Sequence, residues 1–483
     1  MSFSGVADSE LALLSLESAA ELLRKTQISP VELMDAVLAR VQRLNPHLNA
    51  FITVARESAQ ARAKLAEKEI TTGNYRGPLH GIPVALKDNI VTEGIRTTAG
   101  SKFFSASEDS PEATLSKRLR RAGAIVIGKT NLHEFAYGVT TNNPHFGPTR
   151  NPWSLGCIPG GSSGGSAAAL AAGMAFAAVG TDTGGSIRIP SALCGVIGLK
   201  PTYGRVSCFG VVPVARTLDH AGPMARTVAD AAIMLKAIAG YDPLDPATVC
   251  KSVPDYRAAL QGEIKGVTLA SPREYFFDHI DPEVREVVQH ALHNLEDMGA
   301  TIEEIRLLDF AETITPSTHI AFAEATQYHQ SAGFFPSRAD DYGCDVRERL
   351  AAGMEVKATD YLRALEIRSA FSKRLDTLFE KIQAILVPAA PIPAPRIGED
   401  TIVIDGVEET VRSALIRMNR PANLTGHPAI SVPCGFTRAG LPVGLQMIGP
   451  RWDEGGLLRV AHAYEQATEW HNCSPPEITD PGP

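Results

Sequence analysis

The stretch GGSSGGSAAALAAG, residues 160–173, decides how this chain is read. Its first seven residues hold three serines among four glycines, a composition that costs backbone entropy on folding and returns little side-chain packing. A requirement beyond packing must keep it, and the serines are candidates for chemistry. A serine hydroxyl is a weak nucleophile without a neighbouring base. No histidine lies within ten residues on either side of 160–166, so a base has to come from elsewhere in the chain.

A second Gly/Ser segment follows, GTDTGGSIRIP at 180–190, with Ser186 closing a pair of glycines. Over the 24 positions from Ser162 to Ser186 the sequence predicts a small-residue helix from Ser166 and a strand near 175–180, an excursion that brings both serines back to one edge of a sheet. Upstream, GIPVALKDN (81–89) sets Lys87 at the C-terminal end of an apolar strand over 82–86. A lysine there either snorkels to solvent or is buried for chemistry.

Strands and helices continue to alternate outward from these segments. Ser29 and Pro30 cap the helix VELMDAVLARVQRL, and ARESAQARAKLAEKEI (55–70) follows as a second helix. Further helices are expected near 112–122, in TVADAAIMLKAIAG (227–240), in EVREVVQHALHNLEDMG (283–299), over about 359–381 and in GGLLRVAHAYEQATEW (455–470). Further strands are expected at 124–127, 266–270, 385–389, 429–433 and 443–449. The pattern predicts an α/β fold with a large, mostly buried sheet and helices on both faces, one domain over 1–483, with a two-domain split as the alternative.

Composition narrows the function classes. The apolar fraction of 44% and charged fraction of 21% are those of a soluble globular protein. With 46 basic and 54 acidic residues the net charge is −8, which argues against direct nucleic-acid binding or an anionic-membrane surface. Seven scattered cysteines without a CxxC pair read as free thiols in a reducing compartment. The N-terminus lacks a basic segment followed by an apolar one, and the apolar run 167–179 is shorter than the roughly 20 residues of a spanning helix. The expectation is a cytoplasmic protein.

Two motif matches fail on physics. GAIVIGKT (123–130) spells a phosphate-binding loop, but its branched apolar interior suits a buried strand ending at Gly128 rather than a flexible anion cradle. GGSSG (160–164) spells the nucleophile elbow of α/β-hydrolases, but the Pro- and Gly-rich run before it makes a poor strand. Nothing in the spacing of His220, His427 or His462 marks one of them as the partner base.

GGSSGGSAAALAAG, GTDTGGSIRIPSALCGVIGLKPTYGRVS and GIPVALKDN together resemble the defining stretches of the amidase signature family. The similarity extends to PANLTGHPAISVPCGF and GLPVGLQMIGPRWDE, covering nearly the whole chain. The resemblance implies a large mixed sheet and a Ser-Ser-Lys triad: Ser186 as nucleophile, Ser162 as bridging serine after a cis Gly161–Ser162 bond, and neutral Lys87 as base. It also implies an oxyanion hole from the amides of Thr183, Gly184, Gly185 and Ser186, with Asp182 and Arg188 paired to brace that loop. Ser163 and Ser166 are left to bond the local backbone or cap the following helix. No cofactor and no metal are implied.

HEFAYGVTTNN (133–143) resembles the family segment lining the acyl side of the pocket, which makes Tyr137, Gly138, Val139, Thr140 and Thr141 candidate contacts. Within the family the chain is most similar to the glutaminase component of glutamine-dependent tRNA amidotransferases, their A subunit, and to related stand-alone amidases. In the former an arginine and an aspartate hold the charged ends of glutamine. Arg349 matches the arginine, whereas Ile416, in LIRMNR (415–420), stands where the aspartate would align. The resulting expectation is a hydrolase of a small amide, anilide or carbamate, a monomer or homo-oligomer free of membrane and nucleic acid. The alternative is the glutaminase component of a tRNA-dependent amidotransferase.

Overall fold

Among the residues described by the computed structural model, 8–106, 110–272, 274–306 and 309–478, eleven strands form one continuous mixed sheet. In chain order they are β1 (Phe51–Val54), β2 (Pro83–Lys87), β3 (Ile125–Thr130), β4 (Ala177–Asp182), β5 (Ile197–Lys200), β6 (His220–Ala225), β7 (Thr268–Pro272), β8 (Thr301–Ile305), β9 (Ala384–Pro388), β10 (Ala429–Phe436) and β11 (Pro442–Ile448). Across the sheet the order is β1-β3-β2-β4-β6-β5-β10-β11-β9-β7-β8. The pairs β3–β2 and β2–β4 are parallel, every pair from β4 to β9 is antiparallel, and β9–β7 and β7–β8 are parallel again.

Residues of β2, β4, β5, β6, β9 and β11 are buried throughout, which is why PVALK, AILVP and PVGLQMI read as apolar runs rather than alternating ones. Helices supply the cover. Pro30–Leu48 begins with a capping box, Ser29 Oγ accepting from Glu32 N–H while the Glu32 carboxylate accepts from Ser29 N–H. Pro282–Asp297 and Glu454–Gln466 pack their apolar stripes against the strands of the second half. No helix among the described residues is long and apolar enough to cross a membrane, and all seven cysteines are free thiols.

Four strands, β1, β5, β6 and β8, lie outside those expected from the sequence. HAGPMA in β6 carries Gly and Pro inside it, yet it is flanked by paired strands and fully buried, so tertiary pairing overrides its poor propensity. TIEEI in β8 is a mostly exposed edge strand and lacks an apolar pattern. The strand in GAIVIGKT runs on past Gly128 to Thr130, because Lys129 is fully buried and its Nζ donates to Ile90 O and Thr97 Oγ1, both at 2.6 Å. Helices Ile314–Ser331 and Cys344–Met354 are likewise additions to the expected set.

Candidate active site

The parallel neighbours β2 and β4 end on the same side of the sheet, where open α/β folds commonly bind ligands. Lys87 is the last residue of β2, and Thr181 and Asp182 are the last of β4. Lys87 is fully buried, with Nζ 2.7 Å from Ser162 Oγ, 2.7 Å from Thr181 Oγ1 and 3.5 Å from the Thr181 carbonyl. Asn89 Nδ2 donates to Thr181 Oγ1 and to Val212 O, both at 3.2 Å, and fixes the threonine in turn. Burial pulls the Lys87 amine down to about 7, partly opposed by the carboxylates of Asp182 and Asp219. A neutral amine here can give its N–H groups to the two Thr181 oxygens and turn its lone pair to the Ser162 hydroxyl.

Close backbone approach explains the glycines of 160–166. The Gly161–Ser162 peptide is cis. A Cβ on Gly161 would lie 2.7 Å from Thr141 Oγ1, one on Gly164 2.4 Å from the same atom, and one on Gly165 2.4 and 2.5 Å from the carbonyls of Asn131 and Ala50. Ser163 ties the two Gly/Ser segments together. Its Oγ exchanges hydrogen bonds with the backbone of Thr181 at 3.3 Å, and its N–H donates to Ser186 O at 3.2 Å. Ser166 departs from expectation: its hydroxyl pairs with Thr130 Oγ1 at 2.7 Å and neither caps the helix nor bonds the local backbone.

Asp182 and Arg188 are both fully buried and joined by two hydrogen bonds of 3.0 Å. Burial alone would raise the Asp182 carboxyl, but Arg188, helped by Lys200 and Asn423, holds it well below the ordinary range. The same carboxylate accepts from Gly185 N–H at 2.7 Å and Ile187 N–H at 3.1 Å, bending the chain so that Ser186 sits at the pocket. Arg188 also donates to Asn419 O, Gln446 Oε1 and Asn423 Oδ1. The Gly185 amide, expected among four oxyanion donors with those of Thr183, Gly184 and Ser186, is instead bonded to Asp182.

Ser186 opens onto a narrow cavity of about 40 Å³ whose lining includes Tyr137, Gly138, Val139, Thr183 and Gly184. Thr140 and Thr141 were expected there and are not part of it. Thr140 Oγ1 lies 3.3 Å from His133 Nδ1, and Thr141, at φ +58°, donates to Gly160 O at 2.8 Å and accepts from Gly164 N–H at 3.2 Å. Arg349 also lies outside the lining. It donates to the Tyr137 carbonyl and, at 2.8 Å, to Asp345, so it props the pocket wall. Thr181 and Asn89 complete the lysine's cradle from within the quoted motifs without being singled out there, and Phe322, Arg412 and Arg420 complete the cavity from outside the Gly/Ser and lysine motifs. Among the described residues no three His, Cys, Asp or Glu side chains are placed to hold a metal ion.

This fold and this site define a class, and comparison with known proteins agrees: a model of the Amidase family matches residues 32–458. The chain belongs to the amidase signature family and is a hydrolase of C–N bonds. It is 42% identical to the A subunit of the glutamyl-tRNA(Gln) amidotransferase of Geobacter metallireducens, over 96% of this chain and 99% of that one. The crystal structure of the corresponding A subunit from Thermotoga maritima superposes with a TM-score of 0.76 at 38% identity, covering 96% of this chain and 95% of that one. An amidase crystal structure gives 0.85 at 33% identity, covering 94% and 99%. These names overturn the expectation of a monomer or homo-oligomer apart from nucleic acid, since the Geobacter relative is one subunit of an enzyme named for a tRNA. They also favour the alternative reading, the amidotransferase component, over the small-amide hydrolase.

Proposed function

We propose that this chain is the amide-cleaving component of an amidotransferase-like assembly, releasing ammonia from glutamine through an acyl-Ser186 intermediate. Identity of 42% along nearly the full length of a named amidotransferase component carries this reading. The continuity of the sheet from β1 to β8 supports treating the whole chain as one catalytic domain.

In the proposed reaction Ser186 Oγ attacks the amide carbon while its proton passes to Ser162 Oγ and the Ser162 proton passes to Lys87 Nζ. Negative charge forming on the carbonyl oxygen is met by amides of Thr183, Gly184 and Ser186, donors typically worth about 3 kcal/mol each. The C–N bond then breaks, the leaving nitrogen takes the proton back along the same path, and water, activated by the same pair, releases the acid. The lysine's separation of 2.7 Å from Ser162 and its burial support its place as the base. Ser163, Asp182 and Arg188 hold the two serine loops in position, and Gly161 admits the close turn beside Thr141.

One observation favours a second reading, hydrolysis of other small amides: Ile416 lines the cavity in the place of an acid that would hold glutamine's ammonium group. Purifying the tagged chain from its own cells and assaying ammonia release from glutamine separates the two. Co-purifying partner chains with glutamine-dependent release support the first reading, and a lone chain indifferent to glutamine rejects it. Covalent labelling by a fluorophosphonate that survives Ser186→Ala would show that the nucleophile is misassigned.

A further inference from the structure

The cavity beside Ser186 carries cationic groups that the family mechanism leaves without work. Arg412 and Arg420 both line it. Arg412 Nε is buried without a hydrogen-bond partner, and the guanidinium lies 5.9 Å from the Phe322 ring centre. Arg420 is 8% exposed and donates to Ile314 O at 3.2 Å. Asp345, the acid that acts electrostatically on Arg412, already binds His133 and Arg349, both at 2.8 Å. The Tyr137 hydroxyl, also in the lining, is buried without a partner. Ile416 fills the remaining wall, where a Cβ on Gly184 would meet its Cδ1 at 3.0 Å.

Leaving the half-buried Arg412 with its Nε buried and unpartnered is costly, and an anion that accepts its N–H groups in a fork reduces that cost. A substrate ammonium would meet two arginines and an isoleucine with no carboxylate to receive it. From this juxtaposition we propose that the acyl pocket takes an amide whose acyl part ends in a carboxylate and carries no ammonium group, with Arg412, Arg420 and the Tyr137 hydroxyl receiving the anion. The cavity is small, so the test uses a short ω-amido acid of the succinamate or glutaramate kind. This inference rests on the acyl-Ser186 reaction and deepens the second reading above, hydrolysis of a small amide other than glutamine.

Glutaramate, glutamine and pentanamide share the reacting amide and differ in charge, so they form the test. Binding is measured by calorimetry on the Ser186→Ala chain, and turnover by ammonia release on the intact one. The expected result is that glutaramate binds and is cleaved with kcat/KM about tenfold or more above both others, since losing one partner of a buried charge pair typically costs at least that much. Arg412→Met should collapse the glutaramate-to-pentanamide ratio, and Arg412→Lys, which keeps the charge, should retain part of it. Equal binding of glutaramate and pentanamide, or a preference for glutamine, overturns the inference and leaves the acyl-Ser186 reaction standing. Glutaramate bound in an Arg412-dependent manner, with no amide cleaved and no fluorophosphonate labelling, supports the pocket and rejects the hydrolase mechanism instead.

Discussion

Thr181 holds its Oγ1 2.7 Å from Lys87 Nζ, the same separation that Nζ keeps from Ser162 Oγ. The threonine is thus a positioning residue for the amine. It favours the ammonium form slightly and aims the lone pair of the neutral form. Thr181→Val should lower kcat by about tenfold through misorientation. It should also move the ascending limb of the pH–rate profile toward acid. A reduced rate with an unshifted limb would assign Thr181 a purely structural part.

With burial holding the Lys87 amine at about 7, the base is protonated below that pH and neutral above it. Activity should therefore rise with pH through about 7 and level off. Lys87→Ala should be nearly inactive at neutral pH and partly recover at high pH, as hydroxide replaces the missing base. A variant as active as the parent at pH 7 rejects the role.

The same shift has a sign for stability. An unfolded lysine keeps its proton up to about 10.4, so between pH 7 and 10 the unfolded chain binds more protons and the fold gains stability as pH rises. Lys87→Met lacks this titration. It should melt above the parent at pH 7, with the gap narrowing by up to about 1.4 kcal/mol per pH unit toward pH 10. Thermal denaturation of both chains across that range checks it, and a constant gap contradicts it.

Gly165 offers a packing test. A methyl group there meets two backbone carbonyls at 2.4 and 2.5 Å, neither of which can rotate away. Gly165→Ala should cost about 3 kcal/mol or more in denaturant unfolding. Gly156→Ala, where an added Cβ meets nothing within 4 Å and φ is not positive, should stay within about 0.5 kcal/mol and serve as the control.

Ile416→Asp places a carboxylate in the cavity wall next to Gly184. It should raise kcat/KM for glutamine relative to glutaramate by about tenfold, a charge pair gained on one side and a repulsion added on the other. An unchanged ratio would mean that position 416 does not face the substrate's charged end.

The α/β alternation was legible because the central strands are buried on both faces and read as apolar runs, and Lys87 stood out as a charge continuing one of them. The serines were legible through the glycines around them, whose close contacts leave a mark in composition. Thr181 was invisible because a threonine in a strand is commonplace until the lysine across from it is known. Arg412 and Arg420 carried no signal in the sequence, and only the packing of Ile314–Ser331 over them makes them part of a wall. Thr140 and Thr141 were misplaced because the chain turns at Thr141, with its positive φ, and carries them away from the cavity.

Arg188 grips Asn419, Asn423 and Gln446, partners 231 to 258 positions further along the chain. On a ribosome, Lys87, Ser162 and Ser186 have all been made long before those partners emerge. Until they do, the Asp182–Arg188 hinge lacks its far anchors, so the growing polypeptide carries its reactive serine unarmed. Fragments ending before residue 419 should inherit all three of these side chains and none of the turnover.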